Sequence, residues 1–302
     1  MAAISTGNHP KALWPGIQAW WGREYKRYPD LYPQLFEVGS SDKSYEEDVE
    51  VTGFQLVPAK VQGQAITFDS ESQGETTRYT HTAYAMGYIV TYEERKDNLY
   101  EVVSRRRTTA LAFSMNNTVE TVAANIYNRA ADSNYTFGDG VEMLSTAHPT
   151  SSGDQSNELA TAADLSEASL EDIVIQIRKA KNDRGLRFQL MPRKLIIPPD
   201  LEFEAHRIMK SVLQNDTANN AINALKATGA IPEGIVVNPY LSDADAWFVK
   251  TNCPNSQKFL WREKPTFDQD NDFNTKNAMA SVYARFSAGS TDWRGVYGSP
   301  GA

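Results

Sequence analysis

EERKDNLYEVVSRRRTTALAFSMNNTVETVAANIYNRAA, residues 93–131, contains no glycine and no proline, and neither does the wider stretch from Tyr88 to Phe137. An unbroken run of good helix formers with no breaker predicts one long helix from Glu93 to Ala131. Its apolar residues do not form one stripe. At about 100° per residue, Leu99, Val102, Val103, Ala110 and Phe113 gather around one direction, and Met115, Val119, Val122, Ile126 and Ala130 around the opposite one. Two readings stay open: a bend near Ser114–Asn117, or a spine whose halves are covered by different structures. The spine is the preferred one.

Downstream of this helix the pattern turns α/β. After a turn-rich segment from Asn134 to Gly153, SLEDIVIQIRKAKNDRG (169–185) predicts a second helix, with Ser169 and Asp172 as a near-match to a capping box and Gly185 as its end. Leu195–Ile197 is a short strand stopped by Pro198 and Pro199, and a helix follows with Phe203, Ala205, Ile208, Met209 and Val212 near one face. Gly234–Asn238 and Ala246–Lys250 are two further strands around a turn at Leu241–Asp245. Strands around Lys258–Arg262 and Met279–Phe286 come next, ahead of a glycine-rich coil at the end.

Upstream, two features demand cover. The first forty residues hold Trp14, Trp20, Trp21, Tyr25, Tyr28, Tyr32 and Phe36, interrupted by Pro15, Pro29 and Pro33, which should limit helices there to short pieces. So much aromatic surface must wrap the chain's own core or clasp another subunit. From Val49 to Val90 the chain has strand character without a core. KVQGQAITFDS (60–70) and TRYTHTAYAMGYIV (77–90) flank a polar tip, Asp69–Thr76, that contains Gly74. A hairpin this polar does not support itself in water and should lie on another surface.

Composition narrows the function. The apolar and charged fractions, 41% and 23%, are those of an ordinary globular protein. A net charge of −8 argues against a dedicated nucleic-acid binder, which needs a basic face, though it suits the lining of a container for nucleic acid. The one cysteine, Cys253, allows neither an internal disulfide nor a cysteine metal cluster, in keeping with a reducing cytoplasm. No secretory pattern opens the chain, and no stretch nears the ~18 apolar residues of a membrane span.

Reactive groups are sparse. His9, His81, His148 and His206 are scattered and lack metal-ligand spacing, Ser145 has no nucleophile-elbow context, and no phosphate-binding glycine loop occurs. Asp268, Asp270 and Asp272 alternate as calcium ligands do, but Phe273 stands where the tight-turn glycine belongs and Met279 where the bidentate glutamate belongs, so a solvated loop is the reading. Arg105, Arg106 and Arg107 point in different directions on a helix, which favours salt bridges within or between subunits. No catalytic residue, cofactor or metal is assigned, and the chain is not read as an enzyme.

The order of these parts, together with LWPGIQAWWGREYKRYPDLYPQLFE (13–37), STAHP (145–149), DLSEASLED (164–172), LIIPPDLEFEA (195–205) and NPYLSDADAWFV (238–249), resembles the Mu-like major head subunit family of tailed bacteriophages. The resemblance implies an α+β chain of the Hong Kong 97 type: an N-terminal arm (1–48), an extended β-hairpin loop (49–91), a peripheral domain with the spine helix (92–192), an α/β axial domain (193–255) and a C-terminal return to the peripheral domain (256–302). It implies a major capsid protein that self-assembles into pentamers and hexamers of an icosahedral shell around double-stranded DNA, which it holds without sequence-specific binding. A nanocompartment shell of encapsulin type is the alternative on the same fold. Scaffold, portal and cement proteins would be partners, a membrane would not, and assembly in the host cytoplasm would place the protein in the virion capsid. Some relatives cross-link a lysine to an asparagine; Lys60 is present, without a motif showing that it reacts. Candidate inter-subunit contacts are Trp14, Trp20, Trp21, Phe68, Gly74, Tyr79, Tyr84, Arg105, Arg106 and Arg107.

Overall fold

The computed structural model describes residues 14–97, 100–213 and 221–302, with the side chains of 14–17, 95–96 and 100–104 excepted. In chain order they form helices α1 (Trp14–Tyr25) and α2 (Tyr32–Leu35), strands β1 (Glu37–Ser40), β2 (Tyr45–Val51), β3 (Gln73–Thr80) and β4 (Thr82–Val90), and helices α3 (Tyr92–Asp97), α4 (Tyr100–Asn128) and α5 (Glu167–Lys179). Strand β5 (Pro192–Ile197), helices α6 (Glu202–Lys210) and α7 (Ala224–Thr228), and strands β6 (Ile235–Val237), β7 (Trp247–Thr251), β8 (Gln257–Asn271), β9 (Ala278–Ser290) and β10 (Val296–Ser299) complete the chain.

Two four-stranded sheets and one two-stranded ribbon result. The first sheet runs β1-β8-β9-β4, the second β10-β7-β5-β6, and β2 pairs with β3 alone. The long β8–β9 hairpin dominates the first sheet, with β1 parallel to β8 and β4 antiparallel to β9. In the second, both faces are buried, and the period of two assigns each residue to a side. Leu195, Ile197, Trp247, Val249 and Tyr297 join α5, α6 and α7 in one core, whereas Ile196, Phe248 and Val296 point into the core that also holds α4 and the first sheet.

Helix α4 differs from its sequence prediction in an instructive way. Its buried residues are Thr108, Leu111, Ala112, Met115, Asn116, Val119, Glu120, Ala123, Ala124 and Tyr127, which is one continuous stripe at three- and four-residue spacing. Among the described side chains of α4, from 105 to 128, the predicted reversal of faces does not occur. Ala110 is exposed and Phe113 is 47% exposed, edge-on to the Tyr28 ring at 5.3 Å. Thr108, Asn116 and Glu120 occupy stripe positions that an apolar pattern does not register. The residues of the first predicted cluster, Leu99, Val102 and Val103, lie outside the described side chains.

The N-terminal arm is more helical than its prolines suggest, because Pro15 is the second residue of α1, in the first turn, where proline lacks no needed donor. Trp21 stacks on Tyr25 and Phe267, and Tyr32, Leu35 and Phe36 are buried in the chain's own core. The one-turn helix α2 is held at both ends by charge. The Glu120 carboxylate accepts from the backbone N–H of Leu31 (2.8 Å) and Tyr32 (3.1 Å). At the other end, Lys250 Nζ donates to Leu35 O (2.9 Å) and Lys194 Nζ to Gln34 O (3.3 Å), while the Tyr127 hydroxyl also donates to Leu35 O. Each charge matches the helix end that it meets. Burial is the main cause that raises the Glu120 pKa and lowers that of Lys250.

Several other expectations shift. The second helix is capped by Ser166, not Ser169: the Ser166 side chain accepts from Ser169 N and the Ser169 hydroxyl from Ser166 N, and the helix ends at Lys179, short of Gly185. The chain end is not coil, since β10 pairs with β7. Asp268 and Asp270 lie in β8 rather than in a loop. Both α5 and β10 pack with the second sheet. The expected hairpin pairing of 60–70 with 77–90 is replaced by β2 with β3, and β4 turns away at His81 to join β9.

Replacing Glu120 by alanine leaves two backbone donors without their acceptor inside the fold, so it should cost roughly 1–3 kcal/mol in urea denaturation. Glu120→Gln, which keeps an acceptor oxygen, should cost less than half as much. Equal losses for the two variants would show that α2 is not held by this contact.

Candidate functional site

The β2–β3 ribbon contributes no residue to either hydrophobic core. Along β2, YEEDVEV, burial alternates in register with charge: Glu46, Asp48 and Glu50 are half-buried against the body, and Tyr45, Glu47, Val49 and Val51 face outward. The usual arrangement, with apolar residues in and charge out, is inverted. The inner carboxylates each find a partner. Glu46 accepts from the Ser41 hydroxyl at 2.8 Å and pairs with Lys43. Asp48 pairs with Lys258 at 2.6 Å and accepts from the Thr291 hydroxyl at 2.8 Å. Glu50 meets Arg294 at 3.2 Å. Beside them, the Tyr79 hydroxyl of β3 lies 2.6 Å from that of Thr291.

Arg294 is the centre of this attachment. Its side chain is 3% exposed, its Nη1 reaches both Glu50 and Asp292 (3.1 Å), its Nη2 reaches Asp183, and its Nε donates to Lys181 O (3.0 Å). Three carboxylates on one guanidinium leave surplus negative charge. Burial first, then the Asp292 and Asp183 charges, push the Glu50 carboxyl up to about 7 against the pull of Arg294.

Beyond β2 the chain runs without helix or strand from 52 to 72 before it returns in β3. Phe54, Leu56, Val57, Val61, Ile66 and Phe68 are all exposed there, Val57 at 93% and Phe68 at 90%. The loop touches its own body where Arg184 Nη2 donates to Ser70 O at 2.7 Å. A loop presenting this many large apolar side chains on a stem attached by ion pairs is a surface built to be covered.

The residues singled out in the sequence do not come together in one patch. Phe68 is on the loop. Gly74 is one of two β3 residues that stand opposite Glu50 alone, in a bulge, where an added Cβ would lie 3.3 Å from Glu50 O. Tyr79 is buried on the inner side of the ribbon, and half-buried Tyr84 stacks on Phe286 at 4.8 Å. Trp21 is buried within the arm's packing. Half-buried Trp20 donates from Nε1 to the Thr109 hydroxyl at 3.2 Å, with Arg23 and Arg105 over its ring. Arg105 and Arg106 are exposed, whereas Arg107 pairs with Glu94. The Trp14 side chain lies outside the described residues. Sequence reasoning missed Tyr45, Val49 and Val51 and the Glu50–Arg294 contact; the alternation in YEEDVEV was the available signal.

Other polar groups have structural roles. His148 is fully buried, stacked on Trp293 at 4.5 Å, and bonded through Nδ1 to Asp139 (2.6 Å) and through Nε2 to Asn157 Oδ1 (3.0 Å). Asn157 in turn donates to the carbonyls of Met143 and Val296, which ties the turn-rich segment to β10. Burial pushes the Cys253 thiol up, away from reactivity. Among the described residues no three His, Cys, Asp or Glu side chains are grouped to hold a metal ion, and no helix is long and apolar enough to cross a membrane.

A family model described as phage capsid protein matches residues 74–299. Among solved structures, the capsid of bacteriophage JBD30 is similar at a TM-score of 0.56 and 14% identity, over 72% of this chain and 92% of that one. The capsid of the cyanophage P-SCSP1u gives 0.54 at 11% identity, over 90% and 88%. The virus-like particle of Pyrococcus furiosus gives 0.53 at 9% identity, over 94% and 98%. At such identities the likeness shows the fold, which is of the Hong Kong 97 type. No curated protein matches the chain.

Arg294→Met would strand three carboxylates around a buried methionine. The loss should be about 3–5 kcal/mol at pH 8, in the range for breaking a buried pair from one side. It should be smaller at pH 6, where protonation of Glu50 relieves the repulsion. Urea titrations at the two pH values measure both quantities, and a loss independent of pH would separate Glu50 from the cluster.

Proposed function

The chain belongs to the phage capsid protein family, and on that premise we propose that it is the major head subunit of a tailed bacteriophage, with the 52–72 loop as its principal contact to a neighbouring copy. Its role is structural. The copies would form pentamers and hexamers of an icosahedral shell around double-stranded DNA, and the net charge of −8 suits a wall that does not trap its cargo. The quoted segments, Leu13–Glu37 above all, favour the Mu-like branch of the family. Scaffold, portal and cement proteins would be further partners, and assembly would take place in the host cytoplasm.

One observation carries the assembly reading: the apolar side chains of 52–72 and the outer face of β2 are exposed, while the same ribbon's inner face is fixed by ion pairs to its own body. A neighbour that covers this surface gains about 25 cal/mol for each Å2 of apolar area removed from water, repeated at every subunit of a closed shell. Of the residues marked in the sequence, Phe68, Trp20, Arg105 and Arg106 have surface to offer a neighbour. Trp21 and Tyr79 would act indirectly, by fixing the arm and the ribbon. In domain terms, the β1-β8-β9-β4 sheet with α1 and α4 would be peripheral, and the second sheet with α5, α6 and α7 axial.

A nanocompartment shell on the same fold shares the loop and the sheets. Similarity to the archaeal particle is one of fold alone, and the family match favours the capsid. Replacing residues 52–72 by a short Gly/Ser linker tests the assembly reading without touching β3 or β4. The variant should fold, with its helical circular dichroism retained, and negative-stain microscopy should show free subunits or capsomers in place of shells. Closed particles of normal size from this variant would make the loop decoration.

A further inference from the structure

The ribbon's attachment contains an ionisable group whose charge state opposes the contact that it makes. Glu50 sits where the β2–β3 pairing is broken by a bulge: Val49 pairs with Thr76 and Val51 with Gln73, which sets Gly74 and Glu75 against Glu50 alone. The period of two along β2 turns the Glu50 side chain to the inner face, towards Arg294 and away from Val49 and Val51. There it joins Asp183, which follows α5, and Asp292, which caps the turn before β10. The cluster borders a cleft of about 330 Å3 whose other ionisable lining groups are Glu75 from β3 and Asp139, Glu142 and His148 from the turn-rich segment. On its remaining sides lie the Asp48–Lys258 pair and the buried Cys253 thiol, which donates to Asp292. The acids that face Glu50 outnumber the bases.

We propose that Glu50, with Asp183, on Arg294 is a proton-operated latch: protonated, it seats the stem of the extended loop on the body of the protein, and ionised, it loosens the stem. With a proton on Glu50, the two carboxyls share a hydrogen bond and Arg294 balances one of its two remaining carboxylates at full strength. Without that proton, three anions compete for one guanidinium, and the ribbon depends on its other contacts, the Asp48–Lys258 pair, the Tyr79–Thr291 contact and Arg184 on Ser70 O among them. The sign follows from linkage. The seated state binds the proton more tightly than the released state, so raising the pH from the ordinary carboxylate range through neutrality favours release. Between a released value near 4.5 and a seated value of about 7, the ratio of released to seated stems should rise about tenfold from pH 6 to pH 8.

The latch acts within one chain, so it is tested on unassembled protein, and its failure would leave the assembly role of the loop untouched. Spin labels at Lys60→Cys, on the loop, and Asp172→Cys, on the exposed side of α5, report the loop-to-body distance by pulsed electron resonance, with Cys253 too buried to label. At pH 6 the distance distribution should be narrow; by pH 8 the displaced population should have grown about tenfold relative to the seated one. Glu50→Gln, which stays neutral, should hold the distribution constant within about twofold across that range. Glu142→Gln, which lines the cleft away from Arg294, should respond as the unaltered protein does. A pH-independent distribution with Glu50 intact overturns the latch whatever the variants do. So does an unchanged response in Glu50→Gln, or its loss in Glu142→Gln.

Discussion

The helical turn Tyr32–Leu35 sits between two sheets and is held there by opposite charges at its two ends, Glu120 on its N–H groups and Lys194 and Lys250 on its carbonyls. The rest of the structure depends on this contact. Glu120 comes from α4, Lys194 and Lys250 from β5 and β7 of the second sheet, and the chain leaves the turn directly into β1 of the first. Four buried aromatic rings surround the junction. Phe36 and Phe248 both meet Tyr127 edge-on, and Phe36 also meets Phe259 of β8. A turn so short cannot satisfy its own backbone groups, so the partners on α4 and the second sheet are as much a part of it as its own residues.

The extended loop is attached on a different principle. The inner face of β2 joins the body through Asp48 on Lys258 and Glu50 on Arg294, and its valines are left facing out. Apolar burial is non-directional and would bind the ribbon to whichever surface was nearest, its own body included. Ion pairs and bonded hydroxyls fix position instead, and they leave the apolar side chains free for a second copy. On the proposed assembly, fold and association draw on separate sets of residues within one strand, and the Arg294 cluster would link them.

Much of the fold was legible because the signals were local. LII and AWFVK belong to a sheet covered on both sides, and such strands show as short apolar runs between turn residues. Gly- and Pro-free continuity placed α4, but its buried face was misread. Thr108, Asn116 and Glu120 fill stripe positions because each has a bond to make: Thr108 with the Tyr88 hydroxyl, Asn116 with Asp30, Glu120 with α2. Phe113 sits outside the stripe, against Tyr28. Such partners are distant in sequence, so no window along the chain contains them. The ribbon was mispaired for a related reason. Its true strand, Tyr45–Val51, hides acids and shows valines, and at the shift of partner His81 meets a residue 206 positions away, the Ser287 hydroxyl lying 2.9 Å from its Nδ1. The family resemblance supplied the architecture that periodicity could not.

The central claim is that the apolar side of the β2 ribbon and the 52–72 loop belongs to the neighbour, whereas its ionic side belongs to the chain itself. Electron cryomicroscopy of assembled particles tests it most directly. The account predicts that Tyr45, Val49, Val51 and the large apolar side chains of 52–72 are buried against a second copy, with Asp48–Lys258 still closed within one chain. A map in which those apolar residues stay open to solvent, or in which the ribbon's carboxylates pair across the subunit boundary instead, would contradict it.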